Sequence, residues 1–133
     1  GIHSVRGDAR LLPFADDTFD LVALITTLEF LGSPREALVE ALRVTRQGLL
    51  LGVLNRQSIL GLERRIIGLL RPTVYAGAHF YSAGELRRLL QSVAGEKAQV
   101  AWDTMLFPSG WPDACSTLPC GAFIGMALRM SEG

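Results

Sequence analysis

The sequence predicts an α/β domain built on a mixed sheet, mostly parallel with its last strand antiparallel, and flanked by helices. Three observations carry this. The runs 19–25 and 49–54 are almost wholly apolar, which suits strands buried on both faces. Between and after them come amphipathic stretches that open on helix-capping signals. Two further strand-like runs, 99–107 and 122–130, close the chain with only a loop between them.

Taken in order, residues 5–9 read as a short strand ending at Asp8, and the breakers from Leu12-Pro13 to Asp17-Thr18 make a turn. Residues 19–25 follow as a buried strand. Ser33-Pro34-Arg35-Glu36 then combines an N-cap serine, proline at the first helical position and a capping-box glutamate. That helix should run to about Thr45, with Leu38, Ala41, Leu42 and Thr45 on its core face, Ala37 and Val44 beside it, and Arg35, Glu36, Glu40 and Arg43 largely outside. Gly48 is expected to stop it, and 49–54 to form the next strand. A second helical pattern covers 58–70, ended by Pro72. A second capping box, Ser82-Ala83-Gly84-Glu85, opens a helix to about Val93 with Leu86, Leu89, Leu90 and Val93 as its stripe. The closing loop, with Pro108, Trp111 and Pro119, is too long for a tight hairpin, though antiparallel pairing across it stays open.

The 133 residues suit a single domain over 1–133, and a mean hydropathy of +0.29 makes it apolar for its size. Thirteen basic and thirteen acidic side chains balance, so no global field favours nucleic acid. Cys115 and Cys120 have no second Cys or His pair to complete a zinc site, and they read as free thiols in a reducing cytosol. No metal site is expected. Apolar runs broken by Glu29, Asn55 and Arg56 fall short of the ~20 residues that a membrane span needs. A cytoplasmic location is expected.

Four motifs in order resemble the class I S-adenosylmethionine-dependent methyltransferases of the methyltransferase type 11 family. They are Gly7-Asp8-Ala9 before Leu12-Pro13-Phe14, then Asp17-Thr18-Phe19-Asp20, then Pro34 with Ala37-Leu38 and Glu40, and finally Arg43-Val44 before Gly48. The resemblance implies a Rossmann-like methyltransferase sheet, of which this chain resembles the C-terminal portion, starting near the family's third strand. It implies S-adenosylmethionine as cofactor. In that reading the Asp8 carboxylate accepts from the adenine amino group, the Ala9 backbone N–H faces the ring, and Thr26, Thr27 and Leu28 lie against the methionine part. Glu29 and Phe30 stand where many relatives carry two histidines, so the acceptor is left open. No G-x-G-x-x-G occurs in the chain, which predicts weak cofactor binding by these residues alone.

Methyl transfer needs a general base only for a protonated nucleophile. His79 and Glu29 are the candidates. His79 and Tyr81 read equally as packing residues, Asp8 as a turn former, Asp16-Asp17 as a solvated turn, and Trp102 and Trp111 as ordinary anchors. Arg6-Gly7-Asp8 has the form of an adhesion tripeptide, but no secretion signal goes with it. The expected function is methyl transfer from S-adenosylmethionine to a small-molecule acceptor. The alternative is a truncated, non-catalytic module that forms a homodimer, or pairs with another chain, through an exposed sheet edge.

Overall fold

A computed structural model describes residues 1–58, 77–95, 99–105 and 121–130. The remainder of the helix expected over 58–70, both cysteines and Trp111 lie outside the described residues.

Strand β1 (Phe19–Ile25) leads through a short 3₁₀ turn, Leu28–Phe30, into helix α1 (Pro34–Val44). Strand β2 (Thr45–Leu54), helix α2 (Ala83–Ala94) and strands β3 (Gln99–Met105) and β4 (Phe123–Arg129) follow. The sheet order is β1-β2-β4-β3. β1 pairs parallel to β2, and β4 runs antiparallel to both β2 and β3. Three strands therefore share one direction and the last alone is reversed, as the sequence predicts.

Alternation assigns the two sheet faces. Val22 and Leu24 of β1, Leu49, Leu51 and Val53 of β2, and Ile124, Met126 and Leu128 of β4 lie in register on one face. Leu38 and Ala41 of α1 and Leu86 and Leu90 of α2 join that layer in the core. On the opposite face Leu21 and Ile25 are each 54% exposed and Leu50 37%.

Three expectations are corrected. Residues 5–9 form no strand; pairing there is a single bridge between Asp8 and Leu11. The cause is local: the Asp8 carboxylate accepts from the Arg10 backbone N–H at 2.9 Å and the Asp8 carbonyl from Leu11 N–H at 3.0 Å, which turns the chain back on itself. At Ser33 the side chain makes no cap hydrogen bond, and its φ of −132° and ψ of 71° depart from the extended backbone an N-cap needs. Helix α1 ends at Val44, within a residue of the expected limit, but Gly48 is not its stop: Thr45 turns directly into β2 and its hydroxyl donates to the Gly48 carbonyl at 2.9 Å. Gly48 belongs inside β2, where a Cβ would come within 2.6 Å of the Leu128 carbonyl oxygen. The second capping box forms as expected, with Ser82 Oγ accepting from Glu85 N–H at 3.2 Å.

Candidate functional site

The C-terminal ends of β1 and β2 meet where an α/β sheet ordinarily binds ligands. Thr26, just past β1, has φ of +49°, the left-handed region that a β-branched residue rarely enters. It is held there because its N–H donates to the Gly52 carbonyl at 2.7 Å. Such strain costs about 1–3 kcal/mol and gathers at functional sites. Thr27 follows with its hydroxyl donating to the Ile25 carbonyl at 3.0 Å. Leu28 is fully buried, and its carbonyl accepts from Leu31 N–H at 3.3 Å and from the Tyr81 hydroxyl at 3.4 Å, so it supports the turn from behind.

Glu29 is 2% exposed, and its Oε1 accepts the Leu54 N–H at 2.6 Å. Its Oε2 is buried with no hydrogen-bond partner among the described residues. Burial pushes its carboxyl above the usual range, against the lowering effect of its own N–H and that of Leu54. The Glu29 carbonyl accepts from His79 N–H at 2.8 Å, and the Tyr81 hydroxyl donates to the Leu28 carbonyl at 3.4 Å. Thr26 to Glu29, His79 and Tyr81 are therefore brought together by hydrogen bonds.

His79 Nε2 lies 2.7 Å from Glu85 Oε1, and its ring meets Tyr81 edge-on at 4.6 Å between centroids. Burial disfavours the Glu85 charge, but the hydrogen bond and charge of His79, the Ser82 N–H and the charge of Arg56 outweigh it and hold the carboxyl below its ordinary value. Burial chiefly raises the Tyr81 hydroxyl, with the charges of Glu85 and Glu29 adding to it. The capping box signals Glu85 in the sequence; its pairing with His79 is not legible there. Asn55, also unread as a site residue, donates to the Gly121 carbonyl at 2.7 Å and ties the end of β2 to the start of β4.

No hydrogen bond among the described residues links Asp8 or Ala9 directly to this cluster. Among the described residues the hydrogen bonds of Asp8 stay within Asp8–Leu11, and Arg10 takes both carboxylate oxygens, with Nη2 2.8 Å from Oδ2. These bonds from the Arg10 side chain and backbone lower the Asp8 carboxyl to about 2.

Arg43 fastens the following segment to α1. It forks onto both Glu40 oxygens at 2.8 Å, reaches Asp16 at 2.7 Å, and donates to the Phe14 and Leu12 carbonyls. Asp16 is thus half of an ion pair rather than only a solvated turn residue. The Arg43 hydrogen bonds, with the Leu12 N–H, lower the Glu40 carboxyl to about 2. Its contribution is complete above the ordinary 4.5 and is lost as the pH falls through about 2. Arg43→Met is expected to speed hydrogen exchange at the Leu12 amide, which donates to Glu40, more than at Asp17, which donates to the residue 43 carbonyl. Equal effects at both amides would reject this clamp.

Residues 2–52 match the family model described as a methyltransferase domain. The ubiquinone/menaquinone biosynthesis C-methyltransferase of Roseobacter denitrificans is 36% identical over 93 residues, covering 70% of this chain and 33% of that protein. An uncharacterized protein of Methanocaldococcus jannaschii is 32% identical over 98 residues, 70% of this chain and 46% of its own length. A solved S-adenosylmethionine-dependent methyltransferase of Thermotoga maritima superposes with a TM-score of 0.80 at 27% identity, covering 98% of this chain and 65% of that one. The chain spans from a third to just under half the length of these curated relatives. The mixed α/β sheet with its flanking helices is similar to the Rossmann-like folds of methyltransferases. The family match over residues 2–52 and these likenesses together support a class I S-adenosylmethionine-dependent methyltransferase.

Proposed function

We propose that the protein transfers a methyl group from S-adenosylmethionine to a small-molecule acceptor. The observation that carries this reading is the strained Thr26 turn at the C-terminal ends of the parallel pair β1 and β2. When bound, the cofactor supplies a methyl group on a sulfonium centre. Thr26 and Thr27, backed by the buried Leu28, would hold its methionine part, and Asp8 with the Ala9 N–H would hold adenine. For this Asp8 exchanges an Arg10 contact for the adenine amino group, a cheap swap because both side chains are about half exposed. Of the two base candidates we favour His79, since the Glu29 carboxylate is enclosed and occupied by Leu54.

Because residues 1–133 contain no G-x-G-x-x-G, their own affinity is expected to be weak. Adding S-adenosylhomocysteine at millimolar concentration should shift the Thr26 and Thr27 amide resonances. Shifts confined to other residues would remove this site, and micromolar affinity by calorimetry would show that the Gly-rich loop is dispensable.

A second reading has its own observation. Strand β1 is an edge of the described sheet, and Leu21 and Ile25 on it are each 54% exposed. Pairing of that edge with a second copy would make the chain an interaction module. Sedimentation showing only monomer at high concentration would count against it.

A further inference from the structure

Next to the Leu28–Phe30 turn a cleft of about 310 Å³ opens between the start of α1 and the start of α2. Leu31, Pro34 and Leu89 give it apolar lining, and His79, Tyr81 and Glu85 supply its polar groups. This is the low end of small-molecule sites and suits a single-ring ligand. Hydrogen bonds from His79 N–H and the Tyr81 hydroxyl to the Glu29 and Leu28 carbonyls tie the cleft to the turn beside Thr26.

The pair of His79 and Glu85 has a defined polarity. An ionised carboxylate only accepts hydrogen bonds, so Glu85 Oε1, 2.7 Å away, selects the imidazole form with its proton on Nε2. In the neutral ring the free lone pair is then on Nδ1. The ring is oriented by Glu85, by the edge of Tyr81 and by its own backbone bond to Glu29, and its side chain stays 54% exposed. Arg56, 3.8 Å from Glu85, also acts on the pair, and Glu29, whose carbonyl accepts from His79 N–H, adds its charge at Tyr81 beside the ring. Glu85 is the carboxylate of the lining: its Oε1 is taken by His79, and its Oε2, 3.8 Å from Arg56 and without a hydrogen bond among the described residues, is buried and so closed to an ammonium group.

We propose that this cleft is the methyl-acceptor site, that it takes a small apolar-bodied molecule bearing an ionisable hydroxyl, and that His79 Nδ1 removes the hydroxyl proton with Glu85 as positioning residue. This rests on the methyltransferase reading above. The acceptor O–H bond breaks with its electron pair left on oxygen as the nucleophile. The proton forms an N–H bond at Nδ1, and the resulting imidazolium faces the Glu85 carboxylate.

The test uses the full chain with labelled histidine and phenol as the probe. His3, the only other histidine, is exposed and serves as reference. Two-bond proton–nitrogen spectra of the neutral ring should show His79 protonated at Nε2, and Glu85→Gln should convert it to a mixture of forms. Phenol should shift the His79 ring and the Leu31 and Leu89 methyls. Gly32→Leu should abolish those shifts: Gly32 lines the cleft, and a Cβ there meets nothing within 4 Å, so the fold accommodates it. A His79 form unchanged by Glu85→Gln overturns the pair. Phenol shifts that are absent, or that persist in Gly32→Leu, overturn the cleft. If both results hold while S-adenosylhomocysteine leaves Thr26 and Thr27 unshifted, the pocket stands and the cofactor assignment fails.

Discussion

Leu86→Ala is expected to lower stability by about 2–5 kcal/mol, read as a fall in the urea midpoint with an unchanged slope. Leu86 is fully buried on α2, in the same cluster as Leu38 of α1, Leu51 of β2 and Ile124 of β4. Removing it opens a cavity between both helices and the sheet, where collapse on one side strains packing on the other. Leu21→Ala, on the exposed sheet face, should change the midpoint by under ~0.5 kcal/mol. Similar losses at the two positions would mean that the helices do not cover the face assigned to them. Glu85 directly precedes Leu86, so the core variant should also loosen the orientation of His79.

Glu29→Ala is expected to cost about 1–3 kcal/mol, because the Leu54 N–H, which donates to Glu29 Oε1 at 2.6 Å, loses its acceptor in a buried place. Glu29→Gln keeps an acceptor there and removes the charge. Since burial raises the Glu29 carboxyl in the folded state, its protonated form is the one the fold favours. The stabilising contribution is complete below the ordinary 4.5 and is lost as the pH rises through the raised folded value. Wild type should therefore lose stability relative to Glu29→Gln as the pH rises above 4.5. Parallel urea midpoints for the two proteins from acid to neutral pH would show that Glu29 ionises without penalty. This slope is opposite in sign to that of Glu40, whose partner Arg43 favours the charged form.

Much of the fold was legible along the chain. The run from Phe19 to Ile25 forms a strand with the expected limits, and the Ser82 box opens α2 where its spacing indicates. Both signals are local: one is a continuous apolar stretch and the other a hydrogen bond between residues three apart. Two departures have different causes, a long-range contact at Gly48 and a competing local turn at residues 5–9. Gly48 reads as a helix stop, yet it sits inside β2 because β4 passes close to it, and no residue near Gly48 in sequence announces that approach. Residues 5–9 have strand character, but the turn fastened by Asp8 and Arg10 takes their place.

For the site the division is similar. Asp8, Ala9, Thr26, Thr27 and Leu28 were marked by motif, and His79 and Glu29 by residue type. The sequence by itself determined the alternation of strands and helices, which depends on composition and spacing within a few turns of chain, and its motifs carried the family resemblance and the candidate residues that the resemblance implies. The tertiary structure alone decided that Thr26 is strained by a bond to Gly52, that Glu29 is enclosed against Leu54, and that His79 is oriented by Glu85 beside a cleft. Each of these depends on the meeting of β1, β2 and the start of α2, segments far apart in sequence. Burial, strain and the polarity of an imidazole are set by neighbours in space.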